Sequence, residues 1–135
     1  TLAYDARQVV VDHAALHAVP PPLLIDARAA VRYRGEVEPL DRAAGHVPGA
    51  RNRPYVDNLL ADGHFKPPAQ LREEFAVVLD DATPDRVVHM CGSGVTACYN
   101  LLAMEHAGLH GSRLYAPSWS GWVSDPSRPV AKGEE

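Results

Sequence analysis

The sequence predicts an α/β domain with a mostly parallel sheet, because short apolar runs alternate with segments of helical spacing. Two runs, LLID at 23–26 and VVHM at 87–90, are typical of strands buried on both faces. The segment PAQLREEFAVVL at 68–79 places apolar residues at helical spacing, with charged residues on its other face. This alternation favours one domain of ordinary size over the 135 residues.

The remaining elements complete the alternation. The other predicted extended segments are 8–11, 50–54, which follows a turn at Pro48-Gly49, and 113–116. The other predicted helices are 13–18 with Asp12 as N-cap, 29–34 ending at Gly35, and 95–107 ending at Gly108. Pro126 and Pro129 indicate an irregular tail.

Composition and charge argue against several classes of protein. Hydrophobic residues make up 46% and charged residues 22%, which is enough apolar material for a folded core. The net charge of −4 disfavours binding to nucleic acid or to an anionic membrane surface. No apolar run approaches the roughly 20 residues that span a bilayer, and no signal peptide is recognised at the start. Two cysteines are too few for a disulfide framework, so we expect a reducing, cytoplasmic setting.

The candidate chemical site is Cys91, which directly follows the predicted strand VVHM and precedes a predicted helix. In open α/β sheets, ligands bind at this carboxyl end of the strands. The segment CGSGVTA contains two glycines, which let the loop curl and bring backbone N–H groups towards an anion. The positive end of the following helix favours a thiolate, and Ser93 and Thr96 add hydroxyl donors. We therefore expect Cys91 to be a nucleophile rather than a core hydrophobe.

Other cysteine and histidine chemistries fit the sequence less well. A cysteine phosphatase needs an arginine six residues after the cysteine, where this chain has Ala97. A thioredoxin-like pair needs C-x-x-C, whereas Cys98 is seven residues from Cys91, and we expect it to be buried packing. The spacing of cysteines and histidines does not match a zinc site, and His13 and His17 are interpreted as surface residues that share a helix face. No metal is expected.

Several motifs together resemble a known family. CGSGVTA resembles the active-site loop of rhodanese-type sulfurtransferases, in the variant associated with 3-mercaptopyruvate. Agreement in order and spacing extends over LLIDAR, RYRGEVEP, AGHVPGARNRPY and SWSGW, which begin at residues 23, 32, 44 and 118. The resemblance spans about 8–130, and this combination of motifs is highly specific.

The resemblance implies a rhodanese-like fold, with a five-stranded parallel sheet and helices on both faces. It implies transfer of a sulfane sulfur through a persulfide on Cys91, with no cofactor. The donor would be a small anion, 3-mercaptopyruvate or thiosulfate. The acceptor would be a thiol, cyanide or a thioredoxin-like protein.

Individual residues match the family motif. Cys91 matches the nucleophile, and Arg32 matches the arginine that binds the anionic part of the donor, a role suited to a forked and always-charged side chain. Ser93 matches the serine that is proposed to activate mercaptopyruvate. The persulfide cradle is matched by Gly92, Ser93, Gly94, Val95 and Thr96.

Other residues in the motifs are expected to be structural. Asp26 and Arg28 are predicted to hold the loop through their contacts. His46 and Gly49 are interpreted as scaffold and turn residues. Trp119 and Trp122 are predicted to pack the tail over the end of the sheet.

Three departures from the family bear on activity. The family usually has two rhodanese domains, so residues 1–135 are expected to form the catalytic half of a longer protein, in which an upstream non-catalytic domain would supply an acidic residue. A further arginine usually follows the Glu-Pro pair; here Leu40 follows it and Arg42 is shifted. The loop is neutral at Gly92 and Ser93, which favours 3-mercaptopyruvate over the thiosulfate dianion.

Two further classes of function remain open on the sequence. One is a sulfur-relay module that receives a persulfide from a protein partner. The other is a purely structural domain, which the cysteine in this loop argues against. Arg32 favours an enzyme that acts on a small anionic donor.

Overall fold

The computed structural model describes residues 10–17, 20–41, 43–92 and 95–133. These residues form a five-stranded sheet in the order β1-β5-β4-β2-β3, with every neighbouring pair parallel, as predicted. The strands are β1 (Val10–Val11), β2 (Leu23–Asp26), β3 (Arg51–Asn52), β4 (Val87–Met90) and β5 (Arg113–Tyr115). The predicted bounds of β2 and β4 are confirmed residue for residue, whereas residues 8, 9 and 18 of the predicted elements lie outside the described residues.

Four α-helices and three 3-10 helices connect and cover the described strands. The α-helices are α1 (Ala30–Tyr33), α2 (Pro68–Leu79), α3 (Ala97–His106) and α4 (Ser118–Val123). The 3-10 helices are His13–His17, Tyr55–Asn58 and Pro84–Arg86. Within the described ranges, no helix is long and apolar enough to cross a membrane.

Apolar clusters lie on both faces of the sheet because β2 and β4 alternate their side chains. Val88 and Met90 of β4 join one cluster, which also includes Trp119 and Trp122 of α4. Val87 joins the opposite cluster, which is formed with residues of α2 and α3. The sheet is therefore covered on both faces, as the resemblance implied.

The predicted extended segments 50–54 and 113–116 are strands only over Arg51–Asn52 and Arg113–Tyr115, and three predicted helices also need correction. Residues 13–17 form a 3-10 helix rather than an α-helix, although Asp12 caps it as predicted, since its Oδ1 accepts the N–H of Ala15 at 3.2 Å. Helix α1 is one residue shorter at each end than predicted, and its chain turns at Gly35 with a φ of +82°. Helix α3 begins at residue 97 rather than 95, because the carbonyls of Val95 and Thr96 accept N–H groups three residues ahead.

Helix α4 was not predicted, and the structure explains why. It has six residues, begins after Pro117 and contains Gly121, so its intrinsic helical preference is weak. The N–H groups of its residues Trp119 and Ser120 bond to carbonyls outside the helix. Its formation therefore depends on tertiary contacts that sequence spacing does not report.

The carboxyl ends of the strands are joined by backbone hydrogen bonds. The N–H of Ala27, after β2, donates to the carbonyl of Met90 at 2.8 Å, and the N–H of Tyr55 donates to the carbonyl of Ala27 at 3.0 Å. The segments that follow β2, β3 and β4 are thus fixed to one another at the carboxyl end of the sheet. Cys91 lies at this end.

Candidate active site

Cys91 is the first residue after β4 and is 1% exposed. It packs with Ala27 and Ala97, and the partly buried Tyr55 and Leu114 lie against this group. Both cysteines of the chain lie in its described part and both are thiols. The Cys91 side chain therefore lies at the carboxyl edge of the sheet in a small apolar surrounding.

The backbone of the Cys91 loop is bound by the start of helix α4. The N–H of Cys91 donates to Ser118 Oγ at 3.1 Å, and the carbonyl of Cys91 accepts the N–H of Trp119 at 2.8 Å. The carbonyl of Gly92 accepts the N–H of Ser120 at 2.9 Å. The first N–H groups of a helix have no partner within it. Here two of those groups bond to the loop that contains the candidate nucleophile.

The local sequence explains how this segment comes to lie against the loop. Ser118 has a φ of +54°, which turns the chain sharply between β5 and α4. A Cβ at Gly121 would collide with the side chain of Pro117, so the tight first turn of α4 needs a glycine there. Trp119 is fully buried, and its Nε1 donates to the carbonyl of Ala43 at 2.9 Å. Trp122 is also buried, and its Nε1 donates to the carbonyl of Pro129 in the tail at 2.8 Å. Both tryptophans share a cluster with residues of β4, so the prediction that they pack the tail over the sheet is confirmed.

Arg32 lies directly beside the same loop. A Cβ added at Gly92 would lie 3.3 Å from both terminal nitrogens of the Arg32 guanidinium, so a glycine permits this close approach. The two residues line a cleft of about 160 Å³ together with Leu40, Asp41, Thr96 and Ser120. An always-charged donor group therefore packs against Gly92, the residue that directly follows Cys91.

Two carboxylates accompany the Arg32 guanidinium. Its Nη2 lies 3.1 Å from an oxygen of Glu38 and 3.7 Å from an oxygen of Asp41. Burial opposes ionisation of Glu38, but the N–H groups of Asp41 and Leu40, together with Arg32, outweigh it and lower the Glu38 pKa below its usual value. Asp41 in turn accepts a hydrogen bond from Ser120 Oγ at 2.7 Å. The arginine is thus oriented but keeps a 20% exposed side chain.

Arg28 belongs to the scaffold. Its guanidinium forms a forked pair with Asp26, with contacts between 2.8 and 3.1 Å, and donates to the carbonyl of Gly45 at 2.7 Å. It also lies 4.7 Å from the ring centroid of Trp119. Asp26 is fully buried and Arg28 is 3% exposed. The predicted structural role of this pair is confirmed by these contacts.

His46 and Gly49 also have the contacts of scaffold residues, as predicted. The His46 ring stacks on Tyr33 with 3.8 Å between centroids, and its Nδ1 donates to the Tyr33 carbonyl at 2.7 Å. Its backbone pairs with Ala131. Gly49 has a φ of +85°, which is the conformation of a turn glycine.

The structure brings together some of the residues that the sequence singled out. Arg32, Gly92 and Thr96 line one cleft beside Cys91, and Val95 lies at the surface with 70% exposure. Ser93 and Gly94 lie outside the described residues, as does Arg42.

The expectation of a buried Cys98 is wrong. Because α3 begins at Ala97, Cys98 is its second residue and is exposed, while Ala97 and Leu101 face the core. His13 and His17 lie with their Nε2 atoms 2.9 Å apart. In the described ranges, no group of three or more histidine, cysteine or acidic side chains could hold a metal ion.

The serines of SWSGW, the acidic partners of Arg32 and the histidine on β4 are not among the site residues predicted from the sequence. Ser118 and Ser120 could have been found from topology, because β5 lies next to β4 and the segments that follow the two strands must meet. His89 is fully buried, and neither ring nitrogen has a hydrogen-bond partner among the described residues. This burial lowers its pKa to about 3, so the ring is neutral near pH 7.

Comparison with known proteins agrees with this geometry. A probable 3-mercaptopyruvate sulfurtransferase of Pseudomonas aeruginosa is 51% identical over 129 residues, which cover 93% of this chain and 45% of that protein. A putative thiosulfate sulfurtransferase of Mycobacterium tuberculosis is 43% identical, covering 82% of this chain and 38% of that protein. The solved 3-mercaptopyruvate sulfurtransferase of Leishmania major is 36% identical with a TM-score of 0.66, over 79% of this chain and 32% of that one.

The matched relatives are longer than this chain, which spans less than half the length of each. The family model of the rhodanese-like domain matches residues 11–125, which contain the whole sheet from β2 to β5 and the Cys91 loop. The chain belongs to the rhodanese family.

Proposed function

We propose that this domain transfers a sulfane sulfur from a small anionic donor to a thiophilic acceptor through a persulfide on Cys91. The observation that carries the proposal is the juxtaposition of Cys91, at the carboxyl end of β4, with the Arg32 guanidinium packed over Gly92. A nucleophile and an anion-binding group then lie at one loop. Relatives of both sulfurtransferase types support this assignment.

The proposed reaction has two steps. The Cys91 thiolate attacks the outer sulfur of the donor and forms an S–S bond, while the donor's bond to that sulfur breaks. Sulfite leaves with the electron pair from thiosulfate, whereas the enolate of pyruvate leaves from 3-mercaptopyruvate and then takes up a proton. A thiol, cyanide or a thioredoxin-like protein attacks the persulfide and restores the thiolate. The covalent intermediate divides one difficult transfer into two easier ones.

Each loop residue has a proposed part in this scheme. Gly92 has no side chain and so leaves room for the guanidinium of Arg32, which binds the donor's anionic group. The N–H groups of the loop from Gly92 to Thr96 cradle the persulfide, and Ser93 assists donor activation, as the family motif implies. Cys91 itself is 1% exposed, which limits side reactions of its sulfur with solvent species.

We propose 3-mercaptopyruvate as the preferred donor. One guanidinium in the cleft is accompanied by two carboxylates, Glu38 and Asp41. Their repulsion costs a dianion such as thiosulfate more than it costs a monoanion. This charge balance and the neutral loop residues Gly92 and Ser93 both favour 3-mercaptopyruvate as the donor.

We also propose that the reaction takes place in a reducing compartment such as the cytoplasm, which would keep Cys91 available as a thiol. The greater length of the relatives supports an additional upstream domain that completes the site. Activity is therefore best compared between this chain and any longer form of the protein.

Initial rates with each donor test the proposal. We expect turnover of 3-mercaptopyruvate or thiosulfate by the longest available form, and loss of turnover in Cys91→Ser. The matched control is Cys98→Ser, which changes the other thiol and should keep near wild-type activity. Absence of turnover with both donors would contradict the proposal.

A sulfur-relay module is the second candidate, because it would use the same Cys91 loop. It predicts no turnover with small donors but transfer from a persulfidated partner protein. The cleft with Arg32 favours the enzyme, since a protein donor has no need of a small anion site.

A further inference from the structure

Ser118 occupies a backbone conformation that favours glycine. Its φ of +54° lies in the left-handed region, and the residue is fully buried at the start of α4. A side chain costs conformational energy there. A serine at this position therefore indicates that its hydroxyl makes contacts that a glycine could not.

The hydroxyl of Ser118 makes two hydrogen bonds inside the protein. It donates to the carbonyl of Tyr115 at 2.9 Å and accepts the N–H of Cys91 at 3.1 Å. A hydroxyl has one proton to donate, so the first bond fixes the oxygen as an acceptor for the second. The last residue of β5 is thereby connected to the first residue after β4.

The neighbouring residue completes the attachment of Cys91. Trp119 donates its N–H to the Cys91 carbonyl, so both backbone polar groups of Cys91 bond to two consecutive residues of one segment. The backbone torsions of a residue govern which side-chain rotamers it can adopt. Contacts that fix the Cys91 backbone therefore also restrict the direction of its sulfur.

We infer that Ser118 is a positioning residue, which orients the Cys91 sulfur for attack by bonding to the Cys91 N–H. This inference rests on the proposed sulfur transfer and adds a residue to it. Ser118 acts through Cys91 and not on the donor. Losing its hydroxyl should slow the chemical step and leave donor binding unchanged.

The test compares Ser118→Gly and Ser118→Ala with wild type in the longest available form. Glycine relieves the strain of the positive φ, whereas alanine keeps that strain. A loss of activity in both variants is therefore due to the missing hydroxyl and not to backbone strain. We expect kcat to fall about tenfold in both variants with KM within twofold of wild type, as a misplaced reacting group predicts. Assays are made well below each variant's thermal midpoint, so that the folded state is compared.

Alkylation of Cys91 by iodoacetamide, quantified on its own peptide, reports its presentation without any donor. We expect faster alkylation in both variants, because the freed loop exposes a thiol that is now 1% exposed. A thiol that is labelled faster but transfers sulfur more slowly has lost orientation. If a variant only lost folded protein, its changes in alkylation and transfer rates would instead parallel the drop in its thermal midpoint.

The matched control is Ser124→Ala, at the other end of α4. The Ser124 hydroxyl also bonds to a backbone carbonyl, but it is exposed and its acceptor, Gly121, lies within α4 itself. An unchanged kcat and alkylation rate in the Ser118 variants would overturn the inference, as would an equal loss in Ser124→Ala. A higher KM with unchanged kcat would also overturn it, by placing Ser118 in donor binding. If wild type transfers no sulfur, the alkylation comparison still tests the positioning of Cys91.

Discussion

Arg28 and Arg32 lie four residues apart on one segment, yet their surroundings differ in kind. Arg28 has a 1% exposed side chain and a forked pair with a fully buried carboxylate, Asp26. Arg32 has a 20% exposed side chain, looser contacts with Glu38 and Asp41, and a face against Gly92. Burial and the geometry of partners, rather than residue type, therefore separate an arginine of the scaffold from one that can bind a donor.

The largest expected effect is on stability, from Arg28→Ala. The variant leaves the Asp26 carboxylate buried without its partner, which costs about 3–5 kcal/mol of unfolding free energy. Urea denaturation measures the loss. Arg34→Ala is the control, because Arg34 pairs with Glu36 at the surface and should cost less than about 1 kcal/mol. Equal losses in the two variants would remove the distinction between buried and exposed arginines.

Arg32→Ala should affect donor binding instead of folding. Loss of a charge-assisted contact to an anion corresponds to a rise in KM of about 10- to 100-fold. The loss of unfolding free energy should be smaller than in Arg28→Ala, since Arg32 is 20% exposed and Glu38 keeps the N–H groups of Leu40 and Asp41 as donors. Arg32→Lys should lie between wild type and alanine, because it keeps the charge but loses the fork. An unchanged KM would indicate that Arg32 is a surface charge that does not bind the donor.

His89 extends the comparison to a buried polar side chain that makes no hydrogen bond within the described part of the chain. Burial lowers its pKa from 6.5 to about 3, so the unfolded chain binds a proton between these values and the folded chain does not. Unfolding free energy should therefore fall as pH drops below 6.5, by about 2 kcal/mol at pH 5. His89→Phe should remove this part of the slope and be neutral or stabilising at pH 7. Parallel stability profiles of wild type and variant between pH 5 and pH 7 would contradict this interpretation.

The smallest effect concerns the acidic neighbour of Arg32. Asp41→Asn keeps an acceptor for Ser120 Oγ and removes a negative charge 3.7 Å from the guanidinium. We expect KM for thiosulfate to fall about threefold, and KM for 3-mercaptopyruvate to fall less, in keeping with a partly exposed ion pair. Asp62→Asn, an exposed aspartate that pairs with His64, is the control. A larger gain for 3-mercaptopyruvate would contradict the proposed donor preference.

Much of the fold could be predicted from sequence because its central elements carry strong local signals. LLID and VVHM are continuous apolar runs, and PAQLREEFAVVL has both a proline at its first position and a helical pattern. Helix α4 had no such signal, because its first turn depends on Ser118 and on carbonyls from the Cys91 loop. Cys98 was misplaced for a related reason, since two residues of the predicted helix belong to the loop.

The candidate site was predicted in part. Cys91, Arg32 and Gly92 were identified from motifs, and topology brings them together. Glu38 and Ser118 were not identified, because their contacts join segments that are 6 and 27 residues apart, and only the fold reveals such pairs.

The most direct test is the mass of the protein after reaction with a donor in the absence of acceptor. We expect a gain of about 32 Da, one sulfur, on the peptide that contains Cys91, as covalent catalysis requires. The gain should disappear in Cys91→Ser, persist in Cys98→Ser, and be reversed by cyanide or a thiol. A gain on the Cys98 peptide alone, or no gain with either donor in the longest form of the protein, would contradict the assignment of Cys91 as the sulfur carrier.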